Sequence, residues 1–183
     1  RAFATWKSTS VYERAKILKK TAELIRERAD RLARAMTLEQ GKPIPEARAE
    51  TLATADTYEW FAEEAKRAYG RTIPAATDVR RHYAIKHPVG VVGTITPWNF
   101  PAALASRKIA AALAAGCTVV SRPAEQTPIT LILQFECLVE AGVPKGVANL
   151  VIGPPRPFAD ALFAHPAVRK ISFTGSTAVG KEL

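Results

Sequence analysis

The chain predicts an α/β fold: a doubly wound parallel sheet preceded by N-terminal helices and a β-hairpin. Three observations lead there. After Val89, four β-prone runs at 89–96, 117–121, 147–152 and 168–173 alternate with helical stretches, the pattern of crossover-linked parallel strands. The run Val89, Val91, Val92 and Ile95, with small Gly90 and Gly93, is apolar without polar alternation, as in a strand covered on both faces. The first 70 residues instead carry the period of amphipathic helices.

The elements follow in order. Ser10 and Glu13 form a capping box ahead of Ile17, Leu18, Leu24 and Ile25, so a helix begins at Ser10. Its pattern runs through Leu32, Met36 and Leu38 to a stop at Gly41 and Pro43, with Asp30 as the cap dividing two helices. A second helical stretch from Pro45 to Tyr69 carries Leu52, Tyr58, Trp60, Phe61 and Ala65. Residues 71–88 hold two short β-prone pieces joined by Pro-Ala-Ala-Thr-Asp, an exposed hairpin arm that needs a partner subunit or another domain to cover it. Beyond it, a helix spans 102–115. Thr127 and Pro128 cap and start another that ends at Gly142. A short helix lies near 158–164, and a last one starts at Ser176. Three segments result: helices 1–70, arm 71–88 and sheet domain 89–183.

With 183 residues the chain is long enough for one good core or for part of a larger enzyme. It has no initiator Met, and GSTAVGKEL stops within the first turns of a helix, so an incomplete domain of a larger enzyme is expected. The net charge of +9 is interleaved with Glu and Ala on helical faces and comes with no nucleic-acid motif, so no nucleic-acid partner is expected. Cys117 and Cys137 have neither disulfide-scaffold nor zinc spacing and read as core residues. No apolar run nears the roughly 20 residues that span a bilayer, and there is no signal-peptide pattern; no membrane partner and a cytoplasmic location are expected.

In a doubly wound sheet, ligands bind beyond the carboxyl ends of the strands. The first strand leads there into Thr96, Pro97, Trp98 and Asn99, the second into Arg122, Pro123, Ala124 and Glu125, and the fourth into Thr174, Gly175 and Ser176. Together they suit a nucleotide. Glu125 can accept from ribose hydroxyls with a cation nearby, Trp98 supplies an aromatic wall, and the Gly-Ser turn offers N–H groups to phosphate. The Asn99 amide can donate to a developing oxyanion. Gly175 to Lys181 reads as most of a P-loop, but Glu182 stands where magnesium needs a hydroxyl. The G-x-G-x-x-G fingerprint of ordinary Rossmann dehydrogenases is missing as well.

The order TPWNFP, AALAAGCTVV, RPAEQTP and ISFTGSTAVGK, with MTLEQGKP at 36–43, resembles the aldehyde dehydrogenase superfamily over the whole chain, most of all its succinate-semialdehyde dehydrogenases. The resemblance implies a Rossmann-like cofactor domain without the glycine fingerprint, NAD as cofactor with NADP possible, an aldehyde substrate and a homo-oligomer, dimer or tetramer. It implies that Asn99 is the oxyanion donor to a tetrahedral thiohemiacetal and that Lys108 lies near the cofactor and proton path. Trp98 stands against the cofactor, Glu125 holds the adenosine ribose, and Ser176 meets the pyrophosphate. The family's nucleophilic Cys and general-base Glu match nothing here, so the chain is expected to be inactive alone. The alternative is a catalytically inactive nucleotide-binding fragment.

Two positions depart from the family pattern. Arg122 replaces its usual Lys, which trades a compact ammonium for a planar fork beside the ribose. GPPRPFA at 153–159 carries prolines and Ala159 where relatives have glycines, so a stiffer or shifted loop is expected. Arg107 is the substrate candidate. Helical counting puts it on one face with Ala103 and Ala110, near the mouth beyond Asn99. The resemblance implies that it binds the distal carboxylate of succinate semialdehyde first and glutarate semialdehyde second.

Overall fold

The computed structural model describes residues 1–183. Strands β3 (Val91–Ile95), β4 (Thr118–Arg122), β5 (Ala148–Leu150) and β6 (Val168–Phe173) form a four-stranded sheet in the order β5-β4-β3-β6. Every pairing is parallel. Each crossover carries a helix: α5 (Pro101–Ala114), α6 (Pro128–Glu140) and α7 (Pro155–Ala164), with α8 (Thr177–Glu182) after β6. The first layer is α1 (Ala2–Trp6), α2 (Val11–Glu27), α3 (Ala29–Gln40) and α4 (Ile44–Ala65). Strands β1 (Arg71–Ile73) and β2 (His82–Ala84) pair antiparallel as the expected exposed arm.

Side-chain alternation along β3 sorts the two faces. Val92 and Val119 share one core with Ile109 and Leu113 of α5, Leu131 and Leu138 of α6, and Trp6, Leu18, Ile25 and Tyr58 of the first layer. Gly93 and Ile95 face α7, where Ile95, Phe158 and Leu162 form a smaller cluster. A Cβ on Gly93 would lie 2.5 Å from Leu162 Cδ1, so only glycine lets α7 approach this closely. The core therefore runs across residue 70.

The first layer holds α5 at both ends. The four terminal N–H and C=O groups of a helix lack internal partners, so buried termini need outside help. Glu50 of α4 accepts from the Ala102 and Ala103 N–H groups at 3.0 and 3.1 Å. At the other end Trp6 Nε1 donates to the Leu113 carbonyl at 3.2 Å and Arg14 Nε to that of Ala114 at 3.1 Å. Carboxylate at the N-terminus and guanidinium at the C-terminus both suit the helix dipole.

Several expectations change. Ser10 does cap α2, accepting from the Tyr12 N–H at 3.2 Å, but Glu13 makes no reciprocal bond to it, so the expected capping box is not closed. Asp30 does not divide the next two helices: Arg28 is the break, and Asp30 sits in the first turn of α3, paired with Arg48. Thr127 occupies the N-cap of α6, yet its hydroxyl caps nothing and is buried without a partner. Glu39 does that work instead, accepting from the Ile129 N–H, from the Thr130 N–H at 2.8 Å and from the Thr130 hydroxyl at 2.6 Å. Leu38 and Trp60, read as part of the apolar faces, are exposed. Helix α1 was not foreseen; only Trp6 of its five residues is buried, too little for a periodic signal.

Candidate functional site at the carboxyl edge of the sheet

The three segments singled out by sequence do meet along one edge, because Ile95, Arg122 and Phe173 are the last residues of β3, β4 and β6, and β3 pairs with both others. After β3, Thr96 is buried and Pro97 half-buried, while Trp98, Asn99 and Phe100 are open to solvent. The Asn99 side chain makes no hydrogen bond within the protein, so its amide is free to donate. Its backbone is held: Lys42 Nζ and Gln40 Nε2 donate to the Asn99 carbonyl at 3.0 and 3.3 Å. Lys42 pairs in turn with buried Glu50, whose carboxylate holds the start of α5.

After β4, Arg122 and Pro123 are buried. The Arg122 side chain is only 6% exposed, donates through Nε to the Gly153 carbonyl at 2.9 Å and lies 3.3 Å from a Glu125 oxygen. Burial pulls this guanidinium below its ordinary value, opposed by Glu125. Arg122 thus ties the loop after β5 to the loop after β4, while the Glu125 side chain stays 56% exposed with lone pairs free to accept. Pro154 and Pro155 begin α7, and Pro157 lies in its first turn, where a missing N–H breaks no helical bond. An apolar cavity of about 630 Å³, lined by Val151, Ile152, Pro154, Phe158 and Leu162, opens between α7 and the sheet.

After β6, a Cβ on Gly175 would lie 2.3 Å from the Phe173 ring, so any side chain here would have to displace that ring. Ser176 caps α8, its hydroxyl accepting from the Val179 N–H at 3.3 Å and keeping its own proton to donate.

On the α5 side of the sheet, Ser172, Thr94 and Ser121 stand in register on β6, β3 and β4. Thr94 donates to Ser121 at 2.8 Å, and Lys108 Nζ donates to Ser172 at 3.2 Å. Desolvation lowers the Lys108 pKa from its ordinary value. Lys108, Arg107, Lys170, Ser172 and His87 line a cleft of about 280 Å³. Arg107 is exposed there, whereas Ala103 and Ala110 are buried in the core side of α5. One turn of 3.6 residues leaves position 107 between the two faces, and it joins the open one with Leu104, Lys108 and Ala111. Asn99 is not among the lining residues of this cleft, so the chain alone does not bring Arg107 and Asn99 into one pocket.

Sequence reasoning missed Lys42, Glu50, Gln40 and Glu39. The segment MTLEQGKP contains three of them, but no spacing rule ties a lysine to a carboxylate on the next helix and that carboxylate to a helix start 52 residues later.

The sequence pattern of the aldehyde dehydrogenase family matches residues 1–183, the whole chain. The chain belongs to the aldehyde dehydrogenase family. It is 50% identical to succinate-semialdehyde dehydrogenase [NADP(+)] GabD of Escherichia coli K12 over 183 residues, covering 100% of this chain and 38% of that protein. Identity to the glutarate-semialdehyde dehydrogenase of Pseudomonas aeruginosa is 47%, with the same coverage of 100% and 38%. Among solved structures, an aldehyde dehydrogenase from Brucella melitensis biovar abortus superposes with a TM-score of 0.98 at 51% identity, over 99% of this chain and 38% of that one. An NAD+ complex of the Bacillus cereus aldehyde dehydrogenase gives 0.95 at 41% identity, over 100% and 38%. The chain therefore spans under two-fifths of the length of these family members. No helix is long and apolar enough to cross a membrane.

Proposed function

We propose that this chain is the cofactor-binding amino-terminal part of an NAD(P)-dependent aldehyde dehydrogenase that oxidises succinate semialdehyde to succinate in the cytoplasm. The observation that carries the reading is the Asn99 amide, free of protein partners at the carboxyl edge of the sheet, on a backbone pinned from the first helical layer. Such an amide donates to the aldehyde oxygen as negative charge develops on it, and loss of one such donor costs about 10²- to 10³-fold in rate. The nicotinamide cofactor, when bound, accepts the hydride. The donors along the edge fit it. Glu125 accepts from the adenosine ribose, Ser176 donates to the pyrophosphate beside Gly175, and Thr96, Pro97 and Trp98 form the wall toward the nicotinamide. Arg122 and Pro123 hold the Glu125 loop, and the apolar cavity beside α7 takes the flat base. Lys108 stands near the cofactor at the end of the hydroxyl row.

For the substrate, Arg107 carries a planar fork suited to a carboxylate, in a cleft whose other cations, Lys108 and Lys170, add to its positive field. Glutarate semialdehyde is the second reading, favoured by the 47% identity to a glutarate-semialdehyde dehydrogenase. For the cofactor, NAD is preferred. The Glu125 carboxylate repels a 2′-phosphate, and Arg122, engaged with Gly153 and Glu125, is poorly free to pair with one.

The test follows the absorbance of reduced cofactor with the full-length protein carrying this chain. Succinate semialdehyde should give the highest kcat/KM, glutarate semialdehyde the next and propanal the least, with NAD ahead of NADP. Arg107→Ala should raise KM for succinate semialdehyde at least about tenfold, the scale of one charge-assisted contact, and leave propanal unchanged. Equal effects on both aldehydes overturn the substrate reading, and a strong NADP preference overturns the Glu125 argument. The 183-residue chain alone should give no turnover.

A further inference from the structure

The Asn99 side chain makes no hydrogen bond to the protein, so its direction is set chiefly through its own backbone. Lys42 and Gln40 of the first layer grip that backbone, and Glu50 fixes the helix start just beyond it. Lys42 Nζ donates to the Asn99 carbonyl at 3.0 Å and sits 4.1 Å from the centre of the adjacent Phe100 ring. Glu50, paired with Lys42, accepts from the Ala102 and Ala103 N–H groups at 3.0 and 3.1 Å. One ion pair thus clamps the peptide that follows Asn99 and the helix start three residues on. Its side chains are 8% and 3% exposed. A buried ion pair is weak evidence for stability, since apolar replacements often hold a fold as well. What an apolar pair cannot do is donate to the Asn99 carbonyl and accept two N–H bonds at the same time.

We propose that Lys42 and Glu50 are positioning residues for Asn99, holding its amide where the aldehyde oxygen develops charge. This rests on the assignment of Asn99 as the oxyanion donor. Catalytic donors act over tenths of an ångström, and a misplacement of about 1 Å costs about 10²-fold in rate. The clamp therefore belongs to the transition state rather than to ground-state binding, and its loss should appear in kcat.

The test is a double-mutant cycle in the full-length protein with succinate semialdehyde. It measures kcat at saturating cofactor and the cofactor Kd from quenching of protein fluorescence. Lys42→Met should lower kcat about 10- to 100-fold and shift the cofactor Kd by less than about twofold. Lys42→Arg, which can still donate to the carbonyl and pair with Glu50, should recover most of that loss. In an Asn99→Ala background Lys42→Met should cost little further, because the group it aims is gone. Should Lys42→Met not fold, Glu50→Gln enters the same cycle, its amide oxygen still accepting from Ala102 and Ala103 while the charge opposite Lys42 is lost. An equal fold-loss in the two backgrounds, or an unchanged kcat in Lys42→Met, overturns the positioning role. Failures of the underlying reading look different: a wild type that oxidises no aldehyde removes the proposed function, and an Asn99→Ala variant with full kcat removes the oxyanion assignment and this inference with it.

Discussion

Lys108 shows how one residue can combine two demands. Its ammonium reaches a hydroxyl at the carboxyl end of β6, and desolvation lowers its pKa from the ordinary 10.5. The unfolded chain keeps the proton up to that ordinary value. Between the lowered folded value and 10.5, the unfolded state therefore binds more protons and the contribution of this group to stability rises with pH. Lys108→Met removes the rise. Urea midpoints of both proteins from about pH 7 to 11 should show wild type gaining on the variant as pH climbs, and a pH-independent gap would contradict the assignment. At this scale the sequence was legible wherever a residue follows a strand directly, since topology alone puts Asn99, Glu125 and Ser176 at the carboxyl edge of the sheet. Arg122 was legible as a cation of that edge but not as the tie to Gly153, because its partner lies across a crossover. Lys42 and Glu50 were illegible for the same reason, more strongly.

Among the elements, the strands and long helices follow from apolar periodicity, and their observed bounds lie close to those expected. The misses concern who caps whom. A Thr-Pro pair before an apolar run marks a helix start, and it marks this one, yet the hydroxyl of Thr127 is an unpartnered passenger while Glu39 satisfies the amides of α6. Local rules name the nearest capping side chain, whereas a buried helix start takes the best acceptor that packing delivers. Glu39→Ala should cost about 1–2 kcal/mol in chemical denaturation, the range of a lost cap. Thr127→Val should be neutral or slightly stabilising, because it removes a buried hydroxyl that has no bond to lose. The reverse order would return the capping role to Thr127.

Over the whole molecule, the main core joins the helical layer to the sheet, a smaller cluster holds α7 against β3 and β6, and neither the hairpin nor α8 buries a residue. Tyr83 and Ile85 on that arm are 66% and 73% exposed, on a two-stranded ribbon too small to be stable unaided. The arm is expected to lie against a second copy of the protein. Tyr83→Lys combined with Ile85→Lys should lower the mass of the full-length protein in sedimentation, and an unchanged mass would overturn this reading of the arm. The capping carboxylates Glu39 and Glu50 have their own consequence for how the molecule is made. Ribosomal synthesis delivers the amino-terminal layer first. By the time α5 and α6 emerge, the carboxylates that secure their first turns have already been translated, as have Trp6 and Arg14 for the far end of α5. Translation order thus runs from template to dependent part: the donors that hold the Asn99 carbonyl exist before Asn99 emerges, although the strands that flank β3 follow it.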